Sequence, residues 1–136
     1  MPAGYSKTPL FKKLGMKPGF IIHLRNEPMN YWKLFELLPP DIEVMENPIQ
    51  ESVDFVHLFC TTQNELQKEA EPCKILLKKN GMLWVSWPKG RSGIHADLKR
   101  DPIREHLLSI GLVDTKVAAI DDDWSGLKFM YRLKDR

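Results

Sequence analysis

Cysteine is scarce in this chain, and glycine is missing where an open α/β sheet most often carries it. Cys60 and Cys73 are the only cysteines among 136 residues. Two are too few for a disulfide-stapled fold, and no CxxC pair or His/Cys cluster accompanies them. They read as reduced thiols packed as small hydrophobes, which suits a cytosolic protein. No apolar run approaches the ~20 residues that cross a membrane. Met1 to Lys7 lacks the apolar core of a secretory signal. The expectation is a cytoplasmic protein with no membrane segment.

The missing motifs exclude whole classes of chemistry. There is no Walker loop, no G-x-S-x-G elbow and no EF-hand spacing. His23, His57, His95 and His106 are too scattered for a zinc or iron site, and no metal is expected. His57 alternates with Phe55 and Phe59 and reads as a hydrogen-bonded strand histidine. Asp121-Asp122-Asp123 reads as a charged turn, because consecutive carboxylates cannot all face one cation without an unusual backbone. The basic residues lack interleaved aromatics and any known module, so nucleic acid is not an expected partner.

What is present is an ordinary globular composition, with 43% hydrophobic and 28% charged residues. Residues 1–136 read as one domain able to bury roughly 70% of its unfolded surface. The net charge of +2 hides an uneven distribution. Residues 1–25 hold five bases and no acids, residues 26–71 ten acids against two bases, and residues 72–104 eight bases against two acids. Such polarity could steer anions or a partner.

After an irregular lead-in over residues 1–19, Phe20 to Asn26 reads as a first strand. A helix is expected after the cap Asn30, with Tyr31, Leu34, Phe35 and Leu38 on one face and Pro39-Pro40 ending it. Ile42 to Met45 is a short second strand. Val53 to Cys60, almost wholly apolar, suits a parallel strand buried on both faces. Thr62 and Glu65 form a capping box for the next helix, which Pro72 should kink or split and Asn80-Gly81 should stop. Met82 to Trp87 is a strand, Asp101-Pro102 opens a further helix and Gly111 ends it. Leu112–Ile120 and Leu127–Leu133 then form a hairpin. Strands alternating with helices imply right-handed crossovers, hence a doubly wound, mostly parallel six-stranded α/β sheet with an antiparallel C-terminal hairpin.

In nucleotide-binding sheets the turn after the first strand is glycine-rich, so that a cofactor can approach bare backbone and the next helix can pack closely. Here that turn is Asn26-Glu27-Pro28-Met29-Asn30. The pattern therefore argues against the activity that the fold would suggest.

The stretches Tyr5-Ser6-Lys7-Thr8-Pro9-Leu10, Val56-His57-Leu58-Phe59, Leu83-Trp84-Val85-Ser86-Trp87-Pro88-Lys89 and Trp124-Ser125-Gly126-Leu127-Lys128 resemble a family of short, functionally uncharacterised bacterial proteins described as methyltransferase-like. The resemblance implies a truncated class I SAM-dependent methyltransferase-like sheet, ordered 2-1-4-5-7-6 in that fold's strand labels, without its third strand and following helix. It also makes Glu46, twenty residues beyond Asn26, the counterpart of the acid that accepts hydrogen bonds from ribose hydroxyls.

Ligands of open α/β sheets bind beyond the carboxyl ends of the strands. That rule selects Asn26, Glu27, Glu46, Thr61, Ser86, Trp87, Lys89, Arg91 and Trp124 as candidate ligand-binding residues, with no catalytic residue assigned. Ser86 is a strand serine with no base paired to it locally. Lys89-Gly90-Arg91-Ser92-Gly93 could present cations and free N–H groups to an anion. The expected function is a non-catalytic small-ligand-binding or interaction module. Its partner would be an anionic small molecule or an acidic protein, and self-association could cover the short second strand. No cofactor is expected. The alternative is a SAM-dependent methyltransferase with a rebuilt pocket.

Overall fold

A computed structural model describes residues 8–136; Met1 to Lys7, including the start of the first resemblance motif and part of the lead-in, lies outside the described residues. The elements are α1 (Leu10–Leu14), β1 (Ile21–Arg25), a 3-10 turn (Tyr31–Leu34), β2 (Glu43–Val44), β3 (Val53–Phe59), α2 (Gln63–Leu76), β4 (Leu77–Pro88), α3 (Arg100–Ser109), β5 (Leu112–Ala119), β6 (Trp124–Tyr131) and a final 3-10 turn (Leu133–Asp135). They build one six-stranded sheet in the order β2-β1-β3-β4-β6-β5. The first four strands in that order are parallel, and β6 runs antiparallel to both β4 and β5. This is the order that the resemblance implies, and the parallel sheet with an antiparallel C-terminal hairpin is the architecture expected from the element pattern. Among the described residues no helix is long and apolar enough to cross a membrane.

The apolar run of β3 feeds both faces of the sheet. Val56 and Leu58 join a core closed by Leu66, Ala70 and Cys73 of α2 and Ile103 and Leu107 of α3. Phe55 and Phe59 join a second core with Leu14, Met16, Tyr31, Phe35 and Trp84. The first face thus carries two full helices. The second is covered by five-residue α1 and the 3-10 turn.

The helix expected after Asn30 is only that turn. Tyr31 and Phe35 are buried, but Leu38 is 43% exposed and belongs to no stripe. Eight residues separate Asn30 from Pro39, too few for a helix to repay its nucleation cost, and proline biases the residue before it away from the helical region.

Thr62 caps α2 by accepting from the Glu65 N–H at 3.1 Å. Glu65 Oε1 accepts from the Thr61 N–H and hydroxyl at 2.8 and 2.9 Å. The Thr61 backbone bond above all holds the Glu65 carboxyl below its usual range. α2 continues through Pro72 as one element and ends at Leu76, before the expected Asn80-Gly81 stop. Its last carbonyls, those of Ile75 and Leu76, accept from the N–H groups of Glu51 and Ser52. Helix α3 likewise starts earlier than expected, with Lys99 at the cap and Asp101-Pro102 inside the first turn, while Gly111 ends it at φ 100°.

Asn80 and Gly81 instead lie within β4, where the register against β3 jumps between Val53 and Phe55. A Cβ on Gly81 would stand 2.8 Å from the Val53 carbonyl oxygen. Close backbone approach therefore explains this glycine. Gly81→Ala is expected to cost roughly 1–3 kcal/mol, seen as a lower urea midpoint, and an unchanged midpoint would remove this account of the bulge.

Candidate ligand-binding site

Along β4, Leu83 and Val85 face the α2/α3 core, whereas Met82 and Trp84 face the α1 side. Ser86 follows the second set. It is fully buried, and its Oγ lies 2.7 Å from His57 Nε2. His57 Nδ1 lies 2.9 Å from the Tyr31 hydroxyl. The Phe59 ring stacks on the imidazole with centroids 4.2 Å apart. Burial lowers the His57 pKa to about 3 and, with the Glu27 charge as a smaller cause, pushes the Tyr31 phenol above its ordinary value. The imidazole is therefore neutral at neutral pH. With one donor and one acceptor nitrogen, it binds both hydroxyls, donating to one and accepting from the other.

Above this layer, the Trp124 ring meets Phe59 edge-on at 5.0 Å. The turn leading into Trp124 is built by Asp121, whose Oδ1 accepts from the N–H groups of Asp123 and Trp124 at 2.8 Å each. Lys89 fastens the turn to β4. Its Nζ donates to the Asp121 carbonyl at 2.7 Å, and its N–H donates to the Asp123 carbonyl at 2.8 Å.

Between this turn and residues 28–34 lies a cleft of about 330 Å³, lined among others by Met29, Tyr31, Lys33, Leu34, Asp123 and Trp124. Half-buried Trp124 gives it aromatic surface, and the buried Tyr31 ring lies at its floor. Lys33 and Asp123 bring opposite charges, and neither takes part in any of the five ion pairs among the described residues.

Of the nine residues selected from sequence, only Trp124 lines this cleft. Ser86 is not on the rim at all, because β4 runs on to Pro88 and leaves the serine inside the sheet. Trp87 packs against the α2/α3 core. It lies opposite Ser125, while Pro88 lies opposite Trp124. The two tryptophans therefore point to opposite faces. Thr61 is committed to Glu65 and Lys89 to the hairpin turn. Asn26, Glu27, Glu46 and Arg91 are exposed. Tyr31, Lys33 and Met29 escape selection from sequence because a helical reading gives that segment only a buried face. The available signal is the density of aromatics in Tyr31-Trp32-Lys33-Leu34-Phe35, which is unusual for a solvent-facing surface element.

Two other features bear on what could bind. Asn26 adopts φ 56°, a left-handed turn that asparagine tolerates and glycine usually supplies. The turn geometry survives, but with a side chain at every position, and the exposed Glu27 carboxylate would repel an anionic group there. The residues after β1 thus do not fit a cofactor that needs bare backbone, although exposed Glu46 past β2 retains the chemistry of a ribose acceptor. Among the described residues no group of three or more His, Cys, Asp or Glu could hold a metal ion.

The fold has clear counterparts among solved structures. A SAM-dependent methyltransferase from Aquifex aeolicus superposes with a TM-score of 0.57 at 16% identity, over 90% of this chain and 88% of that one. The TehB-like SAM-dependent methyltransferase from Corynebacterium glutamicum gives 0.56 at 11% identity, over 90% and 85%. The fibrillarin pre-rRNA processing protein of Methanococcus jannaschii gives 0.56 at 12%, over 93% and 70%. No protein-family model and no curated protein sequence matches the chain. At such identities the likeness defines the fold, which is methyltransferase-like.

Proposed function

We propose that this methyltransferase-like chain is a non-catalytic small-ligand-binding module whose site is the cleft between Tyr31 and Trp124. The observation that carries the reading is the orientation of the polar groups beneath the cleft. The Tyr31 hydroxyl, His57 and Ser86 are turned inward and spent on one another, so none offers a base or nucleophile to a bound molecule. What faces outward suits recognition: the Trp124 ring with Lys33 and Asp123, neither of which is in an ion pair among the described residues. The volume falls at the lower end of the ~300–1,000 Å³ typical of small-molecule sites. A small polar molecule with an apolar body fits, its body against the rings and its polar groups toward Lys33 and Asp123.

Calorimetric titration with SAM and S-adenosylhomocysteine separates this reading from a methyltransferase with a rebuilt pocket. No stoichiometric micromolar binding is expected, and finding it would move the protein to the enzyme class. In a small-molecule screen read by tryptophan fluorescence, Lys33→Gln with Asp123→Asn should weaken a hit about tenfold, or ~1.4 kcal/mol. Both positions are exposed, so the melting temperature should hold. Undiminished binding by the double variant would rule out the cleft as the site.

A further inference from the structure

β5 forms one edge of the sheet, and there Lys116 lies directly opposite Lys128 of β6. Directly opposed side chains share a face with Cβ atoms ~5 Å apart, and like charges so placed are destabilising. The shared face is that of α1. Lys128 alternates with Gly126, which sits under the Trp84 ring, and with Met130, which packs on the α1-side core. Two more lysines join the pair. Lys116 Nζ donates to the Lys13 carbonyl in the last turn of α1 at 2.7 Å, and Lys13 Nζ donates to the Ala119 carbonyl at 3.5 Å. Lys17 follows α1. Partial burial, then the charges of Lys116 and Lys17, push the Lys128 ammonium below its usual value.

Among the described residues no carboxylate forms an ion pair with these four cations, although Arg25, Lys78 and Arg104 each find an acid. Residues 8–25 contain no Asp or Glu. Lysines act on phosphate as mobile point charges rather than as a rigid fork, so a cluster of them suits an anion with several equivalent oxygens.

We propose that Lys13, Lys17, Lys116 and Lys128 form a binding site for a small multivalent phosphate anion, on the α1 face beside the β5 edge. This site is separate from the Lys89–Gly93 loop, whose Lys89 ammonium binds the hairpin turn. The site is independent of the Tyr31–Trp124 cleft.

The test is titration of the protein with inorganic pyrophosphate and tripolyphosphate at constant ionic strength, followed by calorimetry and thermal melting. One-to-one binding is expected, with a melting temperature that rises with ligand concentration and rises more for tripolyphosphate. Lys17→Gln and Lys128→Met should each weaken binding at least fivefold, and the pair should abolish it. Met keeps the aliphatic stem of Lys128 while removing its charge, so ligand-free Lys128→Met should melt higher than the native protein. Equal heats from native and doubly substituted protein would overturn the site. So would a ligand-free Lys128→Met that melts lower, because the lysine would then be an internal prop.

Discussion

Lowering the pH from 7 to 5 is expected to destabilise the native protein by about 2 kcal/mol more than a His57→Gln variant. His57 is fully buried, and its pKa falls from 6.5 in the unfolded chain to about 3 in the fold. A histidine with a depressed folded-state pKa favours the fold only while the unfolded chain is also neutral. Its contribution is therefore complete above about pH 6.5. It is lost as pH falls toward 3, because in that window the unfolded state takes up a proton that the folded state refuses. A tenfold difference in proton affinity between the two states is worth ~1.4 kcal/mol, so the whole window amounts to roughly 5 kcal/mol. The variant begins lower, since one of the Tyr31 and Ser86 hydroxyls loses its partner at a cost of roughly 1–3 kcal/mol. The two stability curves should then converge in acid. Urea unfolding at pH 7, 6 and 5 measures this, and parallel curves would show that His57 is not the acid-sensitive group. Glu65, held low by its Thr61 bonds, loses its stabilising effect only as pH falls through the carboxylate range, so it lies outside the comparison.

The parts of the fold legible in the sequence are those whose causes are local or compositional. A strand buried on both faces must be apolar at nearly every position, and Val53–Phe59 shows it. The Thr62–Glu65 cap and the Gly111 stop operate within one turn of chain. Sequence misleads where one pattern serves two structures. A Tyr31/Phe35 pair at i, i+4 marks a helix or a short aromatic turn alike, and the distance to Pro39 decides. Asn-Gly marks a left-handed stop, or a glycine needed where another strand comes close, and only the position of Val53 tells which. The site follows the same division. Topology locates the carboxyl ends of the strands. It cannot say that Trp87 and Trp124 face opposite ways, or that Lys89 is spent on a turn 32 residues away. Those facts depend on strand register, which no single segment encodes.

Trp84 joins the centre of the sheet to α1, and its replacement should cost more than Gly81→Ala or the loss of His57. The residue is fully buried, and its Nε1–H donates to the Leu14 carbonyl at 2.7 Å. That bond satisfies one of the orphan carbonyls at the end of α1, a helix of five residues that could not persist in isolation. Trp84→Ala is expected to lose about 3–5 kcal/mol through the cavity alone, and leaving the Leu14 carbonyl unpaired adds about 1–3 kcal/mol. Melting should fall by well over ten degrees, at roughly 3–4 °C per kcal/mol for a chain of this size. Amide exchange should show α1 opening before the sheet. Trp84→Phe keeps most of the apolar contact and loses the donor, so it should cost less. The same ring explains Gly126, where a Cβ would stand 3.0 Å from Trp84 Cε3 and 3.1 Å from both Ser86 Oγ and Ile120 Cδ1. Gly126→Ala alone should therefore destabilise by roughly 1–3 kcal/mol. Combined with Trp84→Phe, which frees the space beside that carbon, it should cost clearly less than the sum of the two single changes, because residues in contact do not act additively. Strict additivity in this cycle would mean that Gly126 is held by its backbone in β6 and not by the tryptophan above it.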